Sequence, residues 1–241
     1  MGESDSNTLT GKFTKAAFVA IRYLWNRIND LYLNIDTSDE SHYQDFDPQR
    51  GFPYAKSQEK AKHKDSIIYQ GANFWNIRRI IRILKPLQND VFYDIGCGKG
   101  RCLCMLGRLA LRQVVGIELD SSLVEAARSN ARRLRGRRAP IEVRCQDAAT
   151  ADYSEGTIYF LYLPFGIETM KDVLDAIKRS IDENPRAITI VYYNALFGNV
   201  LQNIGWLKPV HELRTLTGFP ISFFVNRVGT SRRLEGERFG N

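Results

Sequence analysis

The chain is poor in histidine: His42, His63 and His211 are the only three in 241 residues. None stands at the end of an expected strand, so a nucleophilic triad built on imidazole is not foreseen, and each reads as a surface or structural residue. Cysteine is scarce as well. Cys97, Cys102, Cys104 and Cys145 form no CxxC pair and have no histidine nearby, so no metal site is expected. They read as reduced thiols of a cytoplasmic protein. No apolar run approaches the roughly 18 residues that a membrane-spanning helix needs. The best candidate, AAFVAIRYLW (16–25), is short and interrupted by Arg22. The start, MGESDSN, is polar and acidic and lacks the apolar core of a secretory signal. Met1, Gly2 and Ser6 fit the acylation pattern MGxxxS, a pattern short enough to arise by chance. No internal repeat is present.

What is present fits a globular α/β chain. Hydrophobic residues make up 44% and charged residues 25%, enough apolar content for a sizeable core. The net charge is +7, and RSNARRLRGRR (128–138) holds six arginines and no acid. The basicity is therefore local. Arg128–Arg138 can meet nucleic acid, an acidic protein or a membrane surface; equally, it can be a solvated helix end whose cations suit the helix dipole. No aromatic residues interleave there for base stacking.

Residues 12–33 space Phe13, Ala17, Val19, Ile21, Leu24, Trp25, Ile28 and Leu31 at helical intervals, an amphipathic helix that either packs on the core or holds a partner. Residues 34–66 are polar, broken by Pro48, Gly51 and Pro53, and read as a lid or ordered loop. A helix is predicted over 72–84. Strands then alternate with helices: strands at 90–95, 113–118, 141–145, 157–162 and 187–193, helices at 99–111, 121–134 and 167–181. That alternation calls for a parallel sheet with helices on both faces. The runs 210–216 and 221–227, separated by Thr217-Gly218-Phe219-Pro220, read as a closing antiparallel hairpin. The domain plan is thus 1–66 as an N-terminal extension, 67–228 as the α/β domain and 229–241 as a basic tail.

The chemistry concentrates in VFYDIGCGKGR (91–101) and VVGIE (114–118). These describe a buried strand, a glycine turn, a helix start and a second strand ending in Glu118. Glu118 follows Asp94 at close to the roughly 20-residue spacing of a ribose-binding carboxylate. Gly96, Gly98 and Gly100 free the backbone to turn sharply beneath a ligand. The spacing is GxGxG rather than GxGxxG, and Asp94 would repel the pyrophosphate that such turns otherwise hold at a helix start. It suits a ligand bearing an ammonium or sulfonium group. S-adenosylmethionine (SAM) carries both.

On these residues the chain resembles the class I SAM-dependent methyltransferases: YDIGCGKGR is similar to their first motif and GIELD (116–120) to their acidic second-strand end. NIDTSDE (34–40), YQGANFWNIRRIIRIL (69–84), YLPFG (162–166) and VYYNA (191–195) resemble segments of small bacterial members related to the DOT1-like lysine methyltransferases. The resemblance implies a Rossmann-like, mostly parallel seven-stranded sheet ending in an antiparallel hairpin. It implies cofactor contacts from Tyr69, Asp94, Gly96, Gly98, Gly100, Glu118 and Asp147, and an acceptor pocket with Tyr162, Phe165, Tyr193 and Asn194 as catalytic candidates. It implies no metal and a protein or small-molecule methyl acceptor, a protein lysine or another nitrogen or oxygen nucleophile. Asp147 is equally an N-cap, Tyr69 equally a core aromatic, and Lys99 is expected to face solvent. Leu163 stands where amino-group methyltransferases often place Asn or Asp, and its side chain accepts no hydrogen bond. A SAM-binding protein without catalysis, a nucleic-acid binder using Arg128–Arg138, a non-binding α/β turn and an NAD-dependent oxidoreductase therefore stay open as alternatives.

Overall fold

A computed structural model describes residues 9–38, 69–216 and 218–226, with side chains from residue 20 onward. The expected lid beyond residue 38, the acylation pattern, His42, His63 and the 229–241 tail lie outside the described residues. Helix α1 (Leu9–Leu33) is followed by α2 (Phe74–Leu84) and β1 (Val91–Ile95). The core continues as α3 (Arg101–Leu106), β2 (Gln113–Glu118), α4 (Ser121–Arg133), β3 (Ile141–Cys145), β4 (Ile158–Tyr162), α5 (Ile167–Glu183) and β5 (Thr189–Tyr193). It closes with α6 (Gly198–Asn203), β6 (Leu207–Arg214) and β7 (Pro220–Asn226).

The seven strands lie in the order β3-β2-β1-β4-β5-β7-β6. Strands β1 to β5 are parallel, whereas β7 is antiparallel to both β5 and β6. The central strands β1 and β5 are buried along their whole length, as a sheet covered on both faces demands. One apolar layer joins Phe92, Val114, Phe160 and Phe223 to Leu103 and Ile77; the other joins Tyr93, Ile117 and Tyr159 to Met170 and Leu174. The sheet order reverses at β1/β4, which is where an open α/β sheet forms its ligand crevice.

Several expected boundaries shift. The helix predicted over 99–111 is confined to Arg101–Leu106, because Gly107 ends it, its amide bonding Leu103 O at 2.7 Å. Any side chain at residue 107 would strike Ile141. The hairpin strands run 207–214 and 220–226 rather than 210–216 and 221–227. Helix α6 has no counterpart among the expected elements.

Helix α1 turns its apolar stripe outward. Ile21, Leu24, Ile28 and Leu31 are 50–70% exposed, while Asn26, Asn29, Asp30 and Leu33 are buried. Past its end the chain is sewn onto the domain. Asn130 of α4, 1% exposed, accepts from Asp36 N at 2.8 Å and donates to Asp36 O (2.9 Å) and Lys99 O (2.8 Å). Buried Arg101 donates to Thr37 Oγ1 (2.7 Å), Thr37 O (2.9 Å) and Ala72 O (3.0 Å), and its guanidinium lies 4.8 Å from the Phe74 ring centre. Thr37 in turn donates to Asp30 Oδ1 at 2.6 Å. Replacing Asn130 by Ala strands backbone groups in a dry interface, so the expected loss is about 1–3 kcal/mol in urea unfolding. A midpoint unchanged in that titration would show that the 34–38 segment is not held as described.

Candidate functional site

At the carboxyl ends of β1, β2 and β4 a cavity of about 330 Å³ opens, within the ~300–1,000 Å³ typical of small-molecule sites. Asp94, Gly96, Glu118, Asp147 and Tyr69 line it, as do Tyr162, Leu163, Pro164 and Phe165. The expected residues Gly98, Gly100, Tyr193 and Asn194 do not. Gly98 and Gly100 shape the turn from beneath, with φ of 52° and 79°. Tyr193 stacks behind Tyr162 with ring centres 4.4 Å apart, and its hydroxyl accepts from buried Asn76 at 2.7 Å. Burial pushes the Tyr193 phenol above its usual range, which makes it a worse base as well as a remote one. Asn194 holds a left-handed corner, φ 55°, its amide bonded to Pro220 O.

The glycine turn is closed by its own hydrogen bonds. Gly96 N and Cys97 N both donate to Ile117 O, Gly100 N to Cys97 O, and Gly98 N to Glu118 Oε2 at 2.9 Å. A pyrophosphate cradle needs such amides pointing outward and unspent; these four are committed inside the chain. Glu118 also accepts from Leu119 N (2.8 Å) and Asp120 N (3.0 Å) through Oε1. Three donors fix the carboxylate, and its roughly four lone pairs leave capacity for another. Gly96 sits at φ 75°, and a Cβ there would lie 2.3 Å from Pro164 Cβ. The turn and the β4 end are thus in contact across the cavity mouth.

Asp94 is the most perturbed carboxylate among the described residues. It is 3% exposed, and its pKa is raised to about 8, first by burial and then by the charge of Glu118, against a hydrogen bond from the Leu103 backbone. It makes no ion pair among the described residues. A carboxylate held this way lacks a cation. Asp147 caps the 3₁₀ turn Ala148–Thr150, accepting from Ala149 N at 2.9 Å, and also borders the cavity. Tyr69 borders it too, its hydroxyl donating to Thr37 O at 2.9 Å. Lys99 does not simply face solvent: it donates to Ser38 O at 2.9 Å and sits 5.8 Å from the centre of the Tyr69 ring.

Three further cavity residues, Gln70, Asp120 and Arg101, were not among the expected site residues. Gln70 accepts from the Tyr162 hydroxyl at 2.9 Å. Asp120 caps α4 through Ser122 N and Leu123 N. Arg101 brings the one fully buried guanidinium of the wall. Asp120 was visible as a helix-start pattern, D-S-S after a strand, whereas Gln70 and Arg101 depend on partners far away in the chain. The four cysteines are free thiols, and no cluster of possible metal ligands occurs among the described residues. His211 is a structural residue of β6, its ring edge-on to Phe223.

Residues 92–184 match the family described as a methyltransferase domain. A protein-lysine N-methyltransferase of Saccharolobus islandicus (strain REY15A) is 27% identical over 97 residues, covering 39% of this chain and 58% of that protein. A ribosomal protein L11 methyltransferase of Hamiltonella defensa is 40% identical over 47 residues, 20% of this chain and 15% of that one. The chain spans less than two-thirds of these relatives. In fold it is similar to an RNA methyltransferase from Salinibacter ruber solved with S-adenosyl-L-homocysteine, with TM-score 0.50, 23% identity, 69% of this chain and 99% of that one covered. It is likewise similar to the ribosomal protein L11 methylase of Lactobacillus delbrueckii subsp. bulgaricus, with TM-score 0.51 and 14% identity over 67% and 81% of the two chains.

Two outcomes are expected of the site itself. Gly96→Ala places a methyl group against rigid Pro164 and forces a left-handed alanine, so calorimetric unfolding should lose at least about 1–2 kcal/mol. Asp94→Asn tests the buried acid. Because the folded pKa lies above the unfolded one, wild-type stability falls as pH rises from the ordinary aspartate range through about 8. The Asn variant should therefore gain melting temperature over wild type as pH climbs, and a gap that stays constant with pH would refute the shift.

Proposed function

We infer that the chain is a class I SAM-dependent methyltransferase that uses this cavity to bind SAM and transfers its methyl group to a nitrogen or oxygen nucleophile, a protein lysine being the favoured acceptor. The observation that carries the reading is Asp94: a dry carboxylate in need of a cation, beside a turn whose amides are spent. The residues present fit the group. Asp94 would take the ammonium end, Gly96 would let the ligand lie on bare backbone, Glu118 would accept from the ribose hydroxyls, and Asp147 would border the base. Tyr69 would close the wall.

Bound SAM supplies a methyl carbon on a positive sulfur, an electrophile that needs no metal. The chain's part is alignment and exclusion of water. Tyr162, Leu163, Pro164 and Phe165 would form the acceptor side. Leu163 is held at φ 40° with a nearly buried side chain, so the polar group at this strand end is the Tyr162–Gln70 pair rather than residue 163. Phe165 offers an aromatic wall that suits an amine-bearing side chain. Lysine is favoured by that wall and by the lysine methyltransferase relative. A second reading, SAM binding without transfer, has Leu163 in its favour.

Titration calorimetry gives the first test. Only ionised Asp94 pairs with an ammonium, so affinity for SAM should rise by up to about tenfold per pH unit toward pH 8, and fall again above it as the ligand's α-ammonium loses its proton. Asp94→Asn should weaken binding and flatten the profile. A wild-type affinity that ignores pH would sink the role of Asp94. Incubation of the full chain with isotope-labelled SAM and cell extract, followed by mass spectrometry, should place the label on lysine side chains. Label on no protein or small molecule, with SAM binding intact, would favour the non-catalytic reading.

A further inference from the structure

We propose that α1 and the arginine-rich corner beside it form a lipid-facing surface that seats the protein on an anionic bilayer. The proposal is independent of the chemistry in the cavity. Helix α1 reverses the usual amphipathic rule: its inner face carries Asn26, Asn29 and Asp30, and its outer face carries Ile21, Leu24, Trp25, Ile28, Leu31 and Tyr32 at 40–70% exposure. Those positions recur every three or four residues, one continuous stripe. A stripe this apolar on an outer face marks a surface that is covered in use.

Its electrostatics identify the cover. From Leu9 to Asn29 the helix contains Lys12, Lys15, Arg22 and Arg27 and no acid. Its carboxyl end abuts the cationic 128–138 segment. Arg135 N bonds Leu33 O at 2.9 Å, Arg135 Nη1 bonds Tyr32 O at 3.1 Å, and Asn34 Nδ2 bonds Arg133 O at 3.0 Å. The Arg108 guanidinium lies 5.3 Å from the centre of the Tyr32 ring. Arg132, Arg133, Arg135, Arg137 and Arg138 are all exposed.

Aliphatic stripe and arginines thus share one surface. Nucleic acid would reward the arginines but not four exposed aliphatic side chains. A second copy of the chain would reward the stripe, but the one acid of this helix, Asp30, is buried on its inner face and cannot meet the arginines. The headgroup boundary of an anionic membrane rewards both: apolar side chains enter the acyl region while cations meet phosphate and carboxylate. None of the described helices is long and apolar enough to span, so the mode is one of lying on the membrane.

Flotation of the full chain with vesicles tests this. Wild type should bind phosphatidylcholine vesicles containing phosphatidylserine and ignore phosphatidylcholine alone, with a blue shift in tryptophan emission that W25F abolishes. The double variant L24E/I28E alters only exposed side chains, so its circular dichroism and melting should match wild type while vesicle binding is lost. The variant R132Q/R135Q/R138Q should weaken binding by roughly fivefold per arginine removed. Wild-type indifference to the mixed vesicles overturns the proposal, as does binding that survives L24E/I28E. Light scattering that shows a dimer broken by L24E/I28E, without vesicle association, assigns the stripe to a second copy and also overturns it. Binding to RNA or DNA in place of vesicles does the same for the arginines.

Discussion

A carboxyl group is kept out of water with no cation among the described residues to meet it, and the site is arranged around that imbalance. Asp94 sits at the end of a strand buried on both faces, with Glu118 as its nearest acidic neighbour in effect, and both raise its pKa. Taking a lone carboxylate out of water is expensive, and proteins normally answer by pairing or protonating it. In the free protein the proton does that duty. A cationic ligand relieves the same penalty and displaces the proton. The strain is affordable only because a parallel sheet, covered on both faces, holds β1 in place whether or not the acid is satisfied. Two strands away from any edge, Asp94 has nowhere to swing.

The same economy governs the turn. A glycine-rich loop after a first strand can face outward, offering amides, or fold inward, spending them. This one folds inward, with Glu118 fastened to Gly98 N and to two amides of its own strand end. That fastening sets the Glu118 carboxylate before any ligand arrives, so little side-chain entropy is left to lose on binding. It also separates this site from a dinucleotide site by hydrogen-bond accounting rather than by a motif alone. GxGxG against GxGxxG is a difference of one residue. Four committed amides are a difference in what can be bound.

Much of this could be read from the sequence, and the boundary between legible and hidden has a physical basis. Apolar runs such as VFYDI and VVGIE encode burial on both faces, so the parallel strands were placed to within a residue or two. The glycines and the two carboxylates announce a site because few backbones require them in that order. What was hidden depended on residues far apart in the chain. Nothing local marks Arg101 as a buried cation whose donors go to Thr37 and Ala72. Nothing marks Gln70 as the partner of Tyr162. Tyr193 looked like a site residue because strand ends line such sites; its ring instead backs Tyr162 while its hydroxyl goes to Asn76. Periodicity found α1 but could not say which face is buried, since a stripe has the same period whether it looks in or out.

The position after β4 shows why motif and geometry must be weighed together. Leu163 by sequence argues against catalysis on an amino group, because the expected acceptor of a hydrogen bond is missing. In the structure that residue adopts a left-handed conformation that costs a branched side chain about 1–2 kcal/mol, and its side chain turns into the core. Such a cost is borne where the path of the chain matters more than the side chain at the corner. The corner sends Pro164 against Gly96 and brings Phe165 to the cavity wall. Polarity at this edge then comes from Tyr162, held by Gln70 out of the segment that precedes the first strand. The β4 end of the cavity is thereby joined to the N-terminal region through the run from Tyr69 to Ala72. That run lines the cavity through Tyr69, holds Tyr162 at the β4 end through Gln70, and meets Arg101 through Ala72. Any partner that shifts the segment ahead of β1 acts on both halves of the site at once.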